Sequence, residues 1–296
     1  MKGLEVSGDA GSFGTYSGRG TYGNKWNNGL EAVFSGSYYN SNGQDLFFKE
    51  FDHPQTNNGF AKNCDYDSFY HFFSDISWGD FNLQGLYGSR LKGIPTGSFG
   101  TVFDDDRNRT LDETSYIDLK YDHQFQSGYE LTARVSINHY LYKGDYVYDH
   151  IVPINPLERV IEQDYGRGNW AGTDVQLSKM FYDKHYVILG YDFMGNFNQD
   201  QGASDLGYAK LFDSSKSSYN MGFYLQDEFR IRKDLILNAG VRYDLYSTFG
   251  GTINPRAGLI YMPTETTDFK LLYGTAFRAP NAYELYYDDE NPRKET

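Results

Sequence analysis

Tyr219-Asn220-Met221-Gly222-Phe223-Tyr224-Leu225-Gln226-Asp227-Glu228-Phe229-Arg230-Ile231 runs into Arg232-Lys233-Asp234, and then into Leu235-Ile236-Leu237-Asn238-Ala239-Gly240-Val241-Arg242-Tyr243-Asp244-Leu245-Tyr246. The odd positions carry Tyr219, Met221, Phe223, Leu225, Phe229 and Ile231, then Leu235, Leu237, Ala239, Val241, Tyr243 and Leu245. The even positions are largely polar. Successive side chains on a strand point to opposite faces, so this period of two reads as two strands and a tight turn, with one apolar and one polar face. Each run holds about a dozen residues, beyond the roughly five or six of a soluble strand. A tilted strand that crosses a bilayer needs ~9–11. One residue breaks the pattern: Asp227 lies on the apolar register. Either it sits near an interface, where a carboxylate facing lipid costs least, or a bulge turns it inward.

Composition agrees with long strands. Of 296 residues, 39% are apolar and 18% aromatic, with 28 Tyr and 32 Gly. That balance favours aromatic-girdled strands over helices. Mean hydropathy is −0.65, and no run approaches the ~18 apolar residues of a helical span. Neither fact opposes a barrel, whose strands are only half apolar. A net charge of −13 disfavours nucleic acid, which requires a basic stripe. The single cysteine, Cys64, excludes an intramolecular disulfide framework and a cysteine-rich metal site.

Strand-like alternation recurs outward from the hairpin, giving about thirteen strands. Short links fall at Asn27-Asn28-Gly29, Gly79, Ser127, Lys184, Lys233 and Thr264. Between them the pattern predicts mostly longer links, over about Asn40–Asp67, Lys92–Asp112, Lys143–Asn169 (with Pro153 and Pro156) and Asn198–Ser217. Short turns on one side and longer loops on the other are the signature of a transmembrane β-barrel meander. A soluble propeller or sandwich has no reason for it. The fold expected is all-β and antiparallel.

The last third carries Asn254-Pro255-Arg256-Ala257-Gly258 and then Tyr273-Gly274-Thr275-Ala276-Phe277-Arg278-Ala279-Pro280-Asn281-Ala282-Tyr283-Glu284-Leu285-Tyr286. This resembles the barrel of TonB-dependent outer-membrane receptors, in which an N-P-R strand precedes Y-G-x-A-F-R-A-P-x-x-x-E-L-Y. Phe277, Arg278, Ala279, Pro280, Glu284, Leu285 and Tyr286 carry the match. Gly11-Ser12-Phe13-Gly14-Thr15-Tyr16, Tyr224-Leu225-Gln226-Asp227-Glu228-Phe229 and Gly240-Val241-Arg242-Tyr243-Asp244 fit the same family's strand wording. The resemblance implies a bacterial outer-membrane location and an incomplete, open portion of a barrel of ~22 strands with a plugged lumen. Residues 1–296 are then expected to be one partial barrel domain without its plug. The start, Met1-Lys2-Gly3-Leu4-Glu5-Val6, supplies no leader and no TonB box, which implies an internal piece of a longer protein.

The same resemblance implies a receptor, not an enzyme. Its task would be energised uptake of a scarce ligand, such as a ferric siderophore, haem, cobalamin or an oligosaccharide. Its partners would be membrane lipid, a plug domain of the same full-length chain and, through that plug, the TonB complex. A passive porin-like channel is the alternative, and a soluble β-rich lectin or enzyme a third reading. Arg134, Asn138, Gln226, Arg242 and Arg256 lie on polar registers and are candidates to face a lumen and its plug. Phe47, Phe48, Tyr146, Tyr148 and Trp170 are loop aromatics that could stack on a ligand; an interfacial aromatic belt is the competing account.

Other motifs are weaker. Gly18-Arg19-Gly20-Thr21-Tyr22-Gly23 satisfies G-x-G-x-x-G, but a hairpin follows where a dinucleotide site needs a helix. Asp104, Asp106, Asn108 and Asp112 alternate like calcium ligands, making calcium the one cofactor to consider. The stretch lacks glycine at the sixth position, and Ser115 stands at the twelfth; a solvated acidic loop is the plainer account. His53, His71, His123, His139, His150 and His185 show no metal-ligand spacing, and no nucleophile elbow or glycosidase pair stands out.

Overall fold

Alternation of this kind has one structural outcome, a hydrogen-bonded ladder. The computed structural model describes residues 2–150, 158–205 and 210–287. Its strands are β1 (Gly3–Ala10), β2 (Tyr16–Lys25), β3 (Glu31–Ser41), β4 (Leu46–Phe47), β5 (Phe60–Ala61), β6 (Asp67–Trp78), β7 (Phe81–Gly93) and β8 (Arg109–Gln124). They continue as β9 (Tyr129–His150), β10 (Glu158–Phe181), β11 (His185–Asp205), β12 (Lys210–Arg232), β13 (Leu235–Tyr246), β14 (Gly250–Thr264) and β15 (Thr267–Gly274), followed by a short helix, α1 (Ala282–Tyr286). All except β4 and β5 form one 13-stranded antiparallel sheet in strict chain order. β4 and β5 make a separate two-stranded sheet inside the first long loop. β1 and β15 each have a single neighbour, so the sheet is open at both edges.

The strand count matches the sequence reading, but two expected loops are strand. Most of Lys143–Asn169 belongs to β9 and β10, and most of Asn198–Ser217 to β11 and β12. Pro153 and Pro156, and the polar end 288–296, lie outside the described residues. β9 to β12 hold 22, 24, 21 and 23 residues, while β6 and β13 hold 12 each. At ~3.3 Å per residue the longest strand extends roughly 80 Å, far past a ~30 Å hydrocarbon layer even when tilted. All the near-rim turns are short. The three-residue β10–β11 turn places Tyr182 and Asp183 at φ 53° and 55°, the left-handed region that Gly and Asn enter most readily. At the opposite, far rim, 42–66 and 94–108 are the long loops among the described residues.

Cross-strand register sorts the two faces. Leu225 lies opposite Leu189 and Val241, and Val175 opposite Ala133 and Tyr191. On the other face Arg134 is opposite Asp174, and Asp174 opposite Asp192. The apolar face is open: Ile117, Ile137 and Ile253 are 62%, 63% and 65% exposed. Among the described residues the buried apolar side chains are small or few, and all but Ala32 lie toward the far rim. A soluble sheet would bury the apolar face, so the soluble reading fails. The ladder is held by backbone hydrogen bonds, which lipid makes obligatory because each unsatisfied group there costs several kcal/mol.

Asp227 keeps its register without a bulge, opposite Val187 and Ala239. Its Oδ2 lies 2.7 Å from Nδ1 of His185, and His185 stacks on Phe229 with ring centroids 4.2 Å apart. The carboxylate therefore faces outward beside the near rim, matched by a polar ring in an aromatic setting.

Candidate functional site

Above the apolar band the polar face opens into a cavity of ≈ 1010 Å³ at the far end of β9, β10 and β11. Its making is local. Tyr140, Tyr142, Gly144, Tyr146 and Tyr148 share one register of β9, and their partners Gly168, Gly166, Asp164, Glu162 and Val160 share the facing register of β10. Rings from β9 thus stand beside a floor of glycines and carboxylates. Trp170 pairs with Asn138 and Asn196, which puts it on the same polar face. The Tyr142 and Tyr146 hydroxyls share a 2.5 Å hydrogen bond. Burial raises the Tyr146 phenol; the Tyr142 bond opposes that rise, and the negative charges of Asp164, Asp112 and Glu162 add to it. The guanidinium of Arg167 bonds Asp200, which also accepts from Ser215 Oγ at 2.6 Å.

The segment after β15 folds over this cavity. Asn281 caps α1: its Oδ1 accepts from the Glu284 N–H at 2.9 Å, and Glu284 Oε2 accepts from the Asn281 N–H at 2.9 Å, a reciprocal capping box. Arg278 donates to both carboxylate oxygens of Glu284, at 2.8 and 2.9 Å. That fork, and secondly the Asn281 N–H, hold the Glu284 carboxyl down at about 2. Gln201 Nε2 donates to the Ala282 carbonyl at 3.0 Å, Phe277 packs on Tyr246 and Phe249, and Lys216 lies over the Tyr286 ring. Tyr283 and Tyr287, stacked at 4.4 Å, line the cavity from above.

The candidate aromatics divide. Tyr146, Tyr148 and Trp170 line the cavity. Phe47 and Phe48 do not: Phe47 tilts against Phe60, and Phe48 packs with Phe51, Phe103, Ala61 and Cys64 in a small core that fastens the two long loops. Tyr142, Glu162, Asp164 and Gln201 line the cavity too but stood outside the candidates: Glu162, Asp164 and Gln201 lie in segments read as loop, and Tyr142 at the end of a segment read as strand. The alternation of Tyr140, Tyr142, Tyr146 and Tyr148 was the available signal.

The polar-register candidates all engage the wall. Arg134 Nε donates to buried Asp118 at 2.5 Å, and Asn138 donates to Ser136 Oγ at 3.1 Å. Arg256 donates to Gln226. Arg242 bridges Asp192 at 2.8 Å and Asp244 at 2.6 Å. It does so across Gly222, where a Cβ would collide with both the Arg242 guanidinium and the Asp192 carboxylate.

The chain matches the family model described as "TonB dependent receptor-like, beta-barrel" over residues 65–293. The chain belongs to the TonB-dependent receptor barrel family. Among solved structures it is similar to the pyoverdine outer membrane receptor FpvA from Pseudomonas aeruginosa PAO1 bound to pyoverdine: TM-score 0.67, 12% identity, 92% of this chain and 46% of that one. A mutant of the ferric enterobactin receptor PfeA from Pseudomonas aeruginosa gives a TM-score of 0.64 at 15% identity, over 92% of this chain and 42% of that one. An FpvAI–pyocin S2 complex gives 0.65 at 12% identity, over 92% and 40%. At such identities the likeness is one of fold, and the chain spans less than half the length of these structures. Among curated proteins, none matches the chain.

Membership of the TonB-dependent receptor family places the barrel in the bacterial outer membrane, with near-rim turns periplasmic and the cavity extracellular. The sheet is the open portion of such a barrel. The family consists of transport receptors, and the porin alternative gives way.

Three of the four calcium candidates, Asp104, Asn108 and Asp112, have side-chain partners within the protein. Asp104 accepts from the Lys62 N–H at 2.7 Å, and Asp112 accepts from the Tyr140 hydroxyl at 2.9 Å. The backbone carbonyl of Asp106 accepts from the Tyr66 hydroxyl at 3.0 Å. Asn108, 1% exposed, donates to the Val102 and Asp105 carbonyls and accepts from the Val147 N–H at 2.8 Å. Among the described residues no group of three or more His, Cys, Asp or Glu could hold a metal ion. The acidic loop is braced by protein: Arg107 forks onto Asp105 and holds its carboxyl below the usual range. Cys64 is buried, and burial, followed by the charges of Asp104, Asp106 and Asp105, pushes its thiol up to about 12, away from reactivity.

Proposed function

We propose that this chain forms wall and part of the extracellular binding chamber of an energised importer for a ferric siderophore. The observation that carries the reading is an aromatic-lined cavity on the lumen face of a TonB-dependent receptor barrel. Rings such as Trp170 and Tyr148 offer flat apolar faces with polar edges, suited to stacking on a chelate. The belt of Arg134, Asp174, Asp192 and Arg242 below offers hydrogen bonds to a polar plug filling the lumen. Energy would arrive through that plug, drawn by the TonB complex from the periplasmic side. Haem, cobalamin and oligosaccharides are the other cargoes open to the family's architecture. The siderophore is preferred because structures of similar fold include siderophore receptors.

The test is uptake of radiolabelled iron by iron-starved cells expressing the full receptor, with and without TonB. Accumulation of a ferric chelate that needs both proteins is expected. Equal uptake without TonB would contradict energised transport, and uptake of haem or cobalamin but no ferric chelate would redirect the cargo.

A further inference from the structure

We propose that a cationic cavity at the periplasmic rim binds the phosphate of a phospholipid headgroup. Such a site is independent of the cargo and needs only the periplasmic placement of the near-rim turns. The cavity, ≈ 600 Å³, lies where the β10–β11 and β12–β13 turns meet, and its lining holds four cations, Lys184, Arg230, Arg232 and Lys233, against one carboxylate, Asp183. That size falls within the roughly 300–1,000 Å³ of small-ligand sites. The positive charge is local, in a chain of net charge −13. The other near-rim turns, 26–30, 79–80, 125–128 and 265–266, carry neither lysine nor arginine. The ladder holds the two cationic turns side by side: the Arg230 N–H donates to the Lys184 carbonyl at 2.8 Å. A bulge between Arg230 and Arg232 sets Arg232 opposite Leu235, on the outward register.

Donors remain for a ligand. Arg230 Nε lies 3.5 Å from Glu228 Oε1, and Arg232 Nε 3.2 Å from Asp234 Oδ1. A guanidinium has five N–H donors, so one carboxylate leaves others to a second anion, and its fork matches two oxygens of a phosphate. Among the described residues neither Lys184 nor Lys233 makes an ion pair, and both are exposed. The surroundings favour a lipid over an acidic protein segment. Exposed Ile231 and half-buried Ile236 add apolar surface to the lining. Along the same rim Tyr129 and exposed Phe181 stand on the outward register, with Lys179 Nζ 4.0 Å from the Tyr129 ring centroid and 5.5 Å from that of Phe181. Rings and snorkelling lysines sit at the headgroup level of a bilayer. Phosphates therefore lie at the depth of the cavity, and the outward apolar face continues from it for the acyl chains.

The test takes the full receptor in a non-ionic, phosphate-free detergent. Native mass spectrometry follows the binding of dioleoyl phosphatidylglycerol, of dioleoylglycerol, which lacks the phosphate, and of glycerol 1-phosphate, which lacks the chains. Phosphatidylglycerol should bind at least about tenfold more tightly than either. The double variant Lys184→Gln/Lys233→Gln should weaken it at least about tenfold, and Lys184→Arg/Lys233→Arg should retain it. Lys49→Gln/Lys62→Gln removes the same charge from exposed positions of an extracellular loop and should leave binding unchanged. An equal loss in that loop variant would reduce the effect to net charge and overturn the site. So would unchanged phosphatidylglycerol binding in the rim glutamine variant, or equal binding of dioleoylglycerol. Glycerol 1-phosphate binding as tightly as the lipid would overturn the lipid assignment, as would displacement of phosphatidylglycerol by an equimolar glutamate-rich peptide.

Discussion

The two ends of the same long strands differ in what keeps them ordered. In the periplasmic half of β9 to β13, apolar side chains alternate with charged ones, and the apolar set faces outward without a core to enter. In the extracellular half of β9 to β12 the ladder continues but the apolar alternation stops. There rings and carboxylates gather on the lumen face, and small residues and loop cores do the packing. Solvent explains the contrast. In lipid, period-two hydrophobicity and complete backbone pairing are both required. Above lipid, only the pairing inherited from below remains, and side chains are free to serve a ligand.

The largest expected effect breaks the symmetry of the lower half. Leu225→Arg, on the outward register near the middle of the apolar band, should cost ~2–4 kcal/mol. Asn238→Arg, on the polar register of the neighbouring strand, should stay within about 0.5 kcal/mol. Urea titration of the receptor refolded in lipid vesicles measures both. Similar losses from the two substitutions would mean that the faces are not distinguished by solvent.

A smaller effect belongs to the upper half. Asn108→Ala strips partners from the Val147 N–H and the Val102 carbonyl in a buried site, a loss of ~1–3 kcal/mol. It should appear as faster hydrogen exchange at Val147 and easier proteolysis of 94–108, with exchange in the periplasmic half of β9 unchanged. Faster exchange along the whole strand would show that the halves are one cooperative unit.

The smallest effect concerns the segment over the cavity. The Glu284 carboxyl is depressed in the folded state, so its contribution is complete above the ordinary carboxyl range and disappears only as pH falls through about 2. The Arg278–Glu284 fork and the α1 cap should therefore survive mild acid. Carbon-detected NMR titration of Glu284 should give a midpoint near 2, and an ordinary glutamate midpoint would show that the fork is absent in solution.

This contrast also explains how far the sequence could be read. The lower half was legible at Tyr219–Tyr246 because lipid writes hydrophobicity into alternate positions, and Phe277-Arg278-Ala279-Pro280 named the family. The upper half was not legible. Lys143–Asn169 and Asn198–Ser217 looked like loops because neither strand face above the membrane needs to be apolar. Part of the site was therefore missed: Tyr146, Tyr148 and Trp170 were noticed as aromatics, while Glu162 and Asp164 were lost among loop residues. Phe48 misled for a different reason. An exposed-looking loop phenylalanine had a private core to enter, formed with Phe103 from another loop, and no short-range pattern records such a partner. Asp227 left two placements open, and the ladder places it outward through His185.

The most direct test of the account is a spin-label scan of β12 from 212 to 231 in lipid vesicles, with Cys64 first replaced by serine. Accessibility to oxygen dissolved in lipid should oscillate with a period of two from Met221 to Ile231, with maxima at odd positions. It should flatten between Phe212 and Ser218, where the strand has left the bilayer. A constant profile across Met221–Ile231, or maxima at even positions, would contradict the assignment of the apolar register to lipid and with it the placement of the cavity on the lumen face.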